Sequence, residues 1–374
     1  MVNTMFDAAN LVRAHIRDMP PYEPILPFEV LSKNLGRPPE AFIKLDANEN
    51  PYGPVPAVME ALAGLPYPHI YPDPESRELR QALANSHHVP AENILAGAGA
   101  DDLIDLIMRL FIEPGDAILN CPPTFGMYAF DADLNRARVL SVPRTASFNL
   151  DIGGIEEAAR EERVKMIFLA NPNNPDGGIL SKEDIESILR LPLLVVLDEA
   201  YIQFTAQDAS MINQAPGRNN LVVLRTFSKW AALAGLRVGY GVFPEALMTH
   251  LWKIKQPYNV SVAASTAACA ALENIEQVEA VSQRILTERK RLFNSLKEVP
   301  YLEPIRSQAN FILCRVKGRE ASTLKAELAR QGILVRYFNK PGLEEYIRIS
   351  VGKPEHTDTL IYVLKEMEVS NAKR

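Results

Sequence analysis

At 374 residues the chain is too long for one small core, and its length suggests about two domains. Its 47% apolar and 23% charged content is ordinary for a globular protein, and a formal net charge of −6 leaves no basic footprint for nucleic acid. No uninterrupted apolar run reaches membrane-spanning length, and the N-terminus lacks the apolar core of a secretory signal, so neither a membrane nor export is expected.

In chain order, MPPYEPILPFEV (19–30) reads as a proline-rich extended arm. IKLDANENPYGPVP offers a short strand followed by Asn, Pro and Gly loop punctuation. Helices are predicted from Pro56 to Ala63 and from Glu75 to Asn85, the second with Leu79 and Leu83 at helical spacing. NILAGAGADDLIDLIMRLF is a strand, a Gly/Ala turn and an amphipathic helix. AILNCPP and RVLSVP are buried strands, and KMIFLANPNNPDGG is an apolar strand that runs into a turn. Ser181 is a helix N-cap with Asp184 three residues on, a shorter acid than the Glu a capping box prefers.

LLVVLDEAY and LVVLRTFSK are further apolar strands, the second ending at Leu224, and VGYGVFP is one more. Ser261 to Leu272 reads as a buried Ala-rich helix, and 275–298 as a long, highly charged one. Past Pro300, ANFILCRV, a helix from about Ala321 to Gln331, ILVRYF and YIRISVG make a smaller α+β unit. Apolar strands alternating with helices predict an α/β fold whose mostly parallel sheet is covered on both faces, with ligands beyond the carboxyl ends of the strands.

Five motifs carry chemistry. In RTFSKWAALAGLRVGYG, Lys229 is a candidate nucleophile, and Thr226, Ser228 and Arg237 are the hydroxyls and guanidinium that a phosphate monoester requires. Arg237 would also help lower the lysine pKa. Taken alone, a Ser-Lys pair is more often a surface lysine at a turn. In VVLDEAYIQF, Asp198 ends an apolar strand and needs a cationic or proton-donating partner; a protonated pyridine nitrogen is one, and a helix-capping acid is the alternative. Tyr201, three residues on, can reach a ring hydroxyl.

In ANPNNPDGG, Asn174 can donate to a ring oxygen or be turn chemistry alone. In AGAGADD, the backbone at Ala100 and Asp101 opens a helix and offers N–H groups to an anion, although Asp102 stands where a dinucleotide fingerprint has its third glycine. Phe125 in CPPTFGMY can stack on a flat ring or be a core aromatic.

The order AGAGADD, CPPTFGMY, NPNNPDGG, LDEAYIQF, TFSKWAALAGLRVGYG, IRISVG resembles the fold-type I pyridoxal-phosphate (PLP) aminotransferases. With LDANENPYG, YPDPESRELR and GILVRYFNK it is most similar to the histidinol-phosphate aminotransferase family, from about Tyr22 to Gly352. The resemblance implies a large domain built on a mostly parallel seven-stranded sheet, over 46–275. A small α+β domain would span 276–374, joined by an N-terminal arm of 1–45.

The resemblance also implies that Lys229 holds PLP as a Schiff base and shuttles the proton, and that Asp198 pairs with the pyridine nitrogen. Tyr201 and Asn174 would hold the ring oxygen. Thr226, Ser228, Arg237 and the backbone of Ala100 and Asp101 would hold the phosphate, and Phe125 would stack on the ring. Tyr52 would reach the cofactor phosphate of a second subunit in a homodimer with shared sites.

For the substrate, Arg348 resembles the arginine that grips a carboxylate in this fold type, and Arg336 is placed to add a second guanidinium for a phosphate ester, with a solvated strand-edge charge as its alternative. Tyr22 in the arm could add a hydroxyl. The implied reaction moves an amino group between glutamate and imidazole-acetol phosphate in histidine biosynthesis. An aromatic or broad-specificity aminotransferase and a threonine-phosphate decarboxylase are the rivals, and a PLP-binding regulatory domain is a more distant one. Two departures from the family pattern stand out: Asp176 replaces the usual threonine, and Phe125 a frequent tyrosine.

Cys121, Cys269 and Cys314 lie far apart without metal or redox spacing, which suits reduced thiols and a cytoplasmic setting. The six histidines show no metal-ligand spacing, so no metal is expected.

Overall fold

The computed structural model describes residues 7–21, 27–205 and 209–372. In chain order its strands are β1 (Ile43–Leu45), β2 (Ile94–Gly97), β3 (Ala117–Asn120), β4 (Arg138–Ser141), β5 (Val164–Ala170) and β6 (Leu194–Asp198). They continue as β7 (Leu221–Thr226), β8 (Gly239–Val242), β9 (Leu302–Pro304), β10 (Phe311–Val316), β11 (Ile333–Tyr337) and β12 (Tyr346–Ser350). Seven form one sheet in the order β2-β8-β7-β6-β5-β3-β4, parallel throughout except for β8, which runs against both neighbours. A five-stranded sheet, β1-β11-β12-β10-β9, is antiparallel apart from the parallel pair β1–β11, so residues 43–45 join a sheet otherwise built from 302–350.

The continuous apolar strands are explained by burial on both faces. Along β5 to β7, alternate residues enter two separate cores: Ile167, Leu169, Val195, Leu197, Leu221 and Val223 one, and Met166, Phe168, Leu194, Val196, Val222 and Leu224 the other. The carboxyl ends of parallel strands necessarily face one way. That edge carries Asn171–Asn174 after β5, Asp198 at the end of β6, Thr226 at the end of β7, and the turn into the helix Ala100–Phe111 after β2.

Most predicted elements are present. The helix Pro56–Ala63 has the expected bounds, and Ser181 caps Lys182–Leu189 by accepting from the Asp184 N–H at 3.0 Å. The strand expected to stop at Leu224 continues to Thr226. The proline-rich arm does not stay extended to Val30: a helix spans Phe28–Leu35. Pro27 is its N-cap and Gly36, at φ 63°, its left-handed C-cap, so the chain turns helical directly after the prolines. Met127–Leu134, Glu245–Ile254 and Pro354–Ala372 are helices that the pattern reading missed. No helix among the described residues is long and apolar enough to cross a membrane.

Candidate active site

A cavity of about 180 Å³ opens at this carboxyl edge. Ten predicted residues line it: Ala100, Asp101, Phe125, Asn174, Asp198, Tyr201, Thr226, Ser228, Lys229 and Arg237. Arg348 adjoins them, its Nη1 donating to Asn174 Oδ1 at 2.6 Å and its Nη2 to the Asp46 carbonyl at 2.8 Å. Arg336 is the direct cross-strand neighbour of Arg348. Tyr52 does not line the cavity; the Arg284 guanidinium covers its ring at 3.9 Å. Tyr22 lies outside the described residues.

Lys229 Nζ donates to the Ala47 carbonyl at 3.2 Å. Burial, reinforced by the Arg348 guanidinium and opposed by Glu49 and Asp101, lowers its pKa to about 8. Arg237 lowers it too, as the sequence suggested, but Arg348 has the larger influence. An amine in this state is a competent nucleophile near neutral pH.

Asp198 is 5% exposed. Burial raises its carboxyl pKa to about 6, against the opposing hydrogen bonds from the Tyr128 hydroxyl (2.8 Å) and the Ala200 N–H (3.0 Å). Among the described residues it has no cationic partner. A buried carboxylate held by two neutral donors, facing a cavity, is a ready counter-ion for a cation that enters. Beside it, the Tyr201 hydroxyl accepts from Asn48 Nδ2 at 3.0 Å, so its own proton is free to donate; burial raises the phenol pKa. The bond from Arg348 engages the oxygen of the Asn174 amide and leaves its Nδ2 as the available donor.

The opposite end gathers groups of the kind that hold an anion. Thr226 Oγ1 lies 2.9 Å from Ser228 Oγ, and the helix Ala100–Phe111 starts after Gly99, which supplies no side-chain cap. Its first N–H groups therefore face the cavity end. Gly99 sits at φ 88°, a conformation that favours glycine, and a Cβ there would lie 2.5 Å from Arg237 Nη2 and push the guanidinium from its present place over the turn. Arg237 pairs with Asp101 at 3.0 Å, both about half exposed, which makes this a weak, exchangeable ion pair. Asp102, the residue that breaks the dinucleotide fingerprint, instead accepts the Ala98 N–H at 2.8 Å and braces the turn.

Residues 40–364 match the family model of aminotransferase class I and II. The chain belongs to this family. It is 56% identical over 355 residues to the chloroplastic histidinol-phosphate aminotransferase of Nicotiana plumbaginifolia, covering 95% of this chain and 86% of that protein. It is 50% identical over 365 residues to histidinol-phosphate aminotransferase from Roseiflexus castenholzii, covering 96% and 98%. Its fold superposes, with a TM-score of 0.88 at 29% identity over 96% of this chain and 97% of the other, on histidinol-phosphate aminotransferase from Sinorhizobium meliloti, crystallised in complex with pyridoxal-5'-phosphate.

Two site residues of this family member escaped the sequence reading. Tyr128 lies in the CPPTFGMY motif that yielded Phe125, whose ring it meets edge-on at 5.5 Å, and only the start of a helix at Met127 turns its hydroxyl to Asp198. Asn48, at φ 56° in the NENP loop, binds Tyr201 and is held by Ser350 from the small sheet. Its sequence signal was only its place in the LDANENPYG motif, which gave it no role.

Proposed function

We propose that this chain is a PLP-dependent aminotransferase that interconverts histidinol phosphate plus 2-oxoglutarate with imidazole-acetol phosphate plus glutamate, in histidine biosynthesis. One observation carries the reading: a buried acid and a depressed-pKa amine face the same small cavity, and neither has an ion-pair partner among the described residues. The curated relatives at 50% identity and above support the substrate.

The residues present fit the cofactor. Asp198 would hold the protonated ring nitrogen, Tyr201 and Asn174 the ring oxygen, and Phe125 one face of the ring. The backbone at Ala100 and Asp101, with Thr226, Ser228 and Arg237, would hold the phosphate. PLP, when bound through its aldehyde to Lys229, supplies an electron sink for the carbon that bears the amino group. The freed Lys229 amine would carry the proton between that carbon and the cofactor's former aldehyde carbon, a task suited to an amine with a pKa of about 8. Asn174 and Tyr201 orient the ring by donating hydrogen bonds, and Arg348 keeps the amine's pKa low through its charge.

Arg348 and Arg336 would grip the substrate's anionic end. Directly opposed residues of an antiparallel pair project to the same face, where like charges repel. Both guanidiniums also flank the Phe338 ring, at 5.5 and 5.6 Å. A phosphate ester, with more negative charge than a carboxylate, suits two such groups. We assign 46–275 to the cofactor-holding domain and 276–374, with the arm of 1–45, to the smaller one. The assembly is read as a cytoplasmic homodimer in which Tyr52, outside its own cavity, serves the partner's site.

A substrate panel tests the reading. Holoenzyme with glutamate should prefer imidazole-acetol phosphate to phenylpyruvate and 4-hydroxyphenylpyruvate. Equal rates would point to an aromatic aminotransferase, and carbon dioxide release without consumption of 2-oxoglutarate to a decarboxylase.

A further inference from the structure

We propose that Asp176 is a positioning residue for substrate-anion capture: its carboxylate closes the 173–178 turn so that Asn174 and Gly177 hold the small-sheet arginine, Arg348, in register with the large sheet. The inference rests on the reading of Arg348 given above.

Asp176 stands where the family pattern has threonine, and it is 2% exposed. One carboxylate oxygen accepts from Asn173 Nδ2, and the other from the Gly178 N–H at 2.7 Å. Asn173 is bound in turn to the loop that precedes Phe125: its Oδ1 accepts from the Thr124 hydroxyl at 2.8 Å, and its Nδ2 donates to the Pro123 carbonyl at 3.1 Å. Two walls of the cavity, the Asn174 turn and the Phe125 loop, are therefore joined through this side chain.

The turn reaches the small sheet by two routes. Asn174 accepts from Arg348 directly. The Gly177 carbonyl accepts from the Gln308 N–H at 2.7 Å, just before β10, whose Leu313 pairs with Arg348 across the ladder. Gly177 sits at φ 77°, and a Cβ there would lie 2.0 Å from Ser307 Oγ, so the turn packs closely against residues 307–308.

Residue 176 must serve two donors at once. A carboxylate is acceptor-only and serves both; an asparagine would turn its own N–H₂ toward one of them, and a threonine has a single oxygen. Arg144, whose buried Nη2 lacks a hydrogen-bond partner, feels Asp176 as its largest favourable charge. The carboxylate is thus supported by a buried guanidinium that touches neither cofactor nor substrate site.

The test compares Asp176→Asn, Asn173→Ala, their double variant and Arg348→Ala as holoenzymes. Loss of one hydrogen bond that orients a charged group predicts KM rising ~10-fold for both glutamate and the phosphate ester, with kcat within about 2-fold, and the double variant no worse than the worse single. Titration calorimetry with the unreactive dicarboxylate maleate should show the same fall in affinity. If Arg348→Ala weakens maleate and Asp176→Asn does not, the positioning role is wrong while the reading of Arg348 stands. If Arg348→Ala leaves maleate affinity unchanged, that reading fails and the inference falls with it. Should Asp176→Asn not fold, Thr124→Val removes only the outer hydroxyl of the clamp. It should raise both KM values in the same direction by roughly 3-fold, and unchanged values overturn the proposal.

Discussion

Replacing Asp198 by asparagine should abolish transamination and yet stabilise the cofactor-free protein at neutral pH. The carboxyl is buried, and its pKa stands at about 6 against the ordinary 3.8. Because the folded-state value is raised, the group's contribution to stability is complete below the unfolded value and is lost as pH rises through about 6. At pH 7 nearly all of that loss has occurred, and at about 1.4 kcal/mol per tenfold it amounts to roughly 3 kcal/mol. Asparagine carries no charge to desolvate. Its Oδ1 can accept the Ala200 N–H while its Nδ2 donates to the Tyr128 oxygen, so both present partners stay satisfied.

The assay is urea unfolding of cofactor-free wild type and Asp198→Asn between pH 4 and 8. The variant should match wild type near pH 4 and exceed it by up to roughly 3 kcal/mol at pH 7. A difference that is flat with pH, or that favours wild type as pH rises, would refute the claim that this acid sits ionised without a cation.

Three further outcomes follow from the same geometry. The rate at which cofactor-free enzyme captures the vitamin B6 aldehyde should climb with pH through about 8, where half the Lys229 amine is neutral, and Arg348→Ala should move that midpoint upward because the charge with the largest lowering effect is gone; stopped-flow absorbance reads both. Glu199→Gln should destabilise by about 3–5 kcal/mol in urea unfolding, because Glu199 is fully buried and accepts from Arg225 at 2.9 and 3.0 Å, and its loss strands that cation. Gly99→Ala combines a left-handed backbone with a Cβ 2.5 Å from Arg237 Nη2, so fluorescence titration should show PLP affinity falling ~10-fold or more while the far-UV spectrum is unchanged.

What the sequence disclosed was the part of the site fixed by strand ends. Asp198, Asn174 and Thr226 each follow or end an unbroken apolar run, and an apolar run buried on both faces tells where its carboxyl end emerges. Lys229 was legible because it follows such an end by three residues, and Arg237 because it lies eight residues further along the same motif. Tyr128 was not, because its role depends on the rotation of a helix whose start, Gly126, carries no capping side chain to announce it. Asn48 was hidden for another reason: it contacts Tyr201 only after the chain has crossed from one sheet to the other, and the bonds that fix it come from Ser350 and Asn310, far along the sequence. Local pattern carries no record of such contacts. The same holds for the parallel pairing of β1 with β11, which draws the start of the chain into the C-terminal sheet.

The charges around the cavity share one property. Asp198 is ionised without a cation, Lys229 is held below its ordinary pKa, and Arg336 stands directly across from Arg348 on the same strand pair. Each arrangement weakens the folded chain by itself; on the proposed reading, a cationic ring nitrogen would relieve the acid and an anionic substrate group the two arginines. Glu199, by contrast, is fully buried and paired with Arg225. Relief of this electrostatic misfit would contribute to the binding of cofactor and substrate. It follows that substitutions that remove the misfit should trade function for stability, whereas those at paired charges such as Glu199 should lose both.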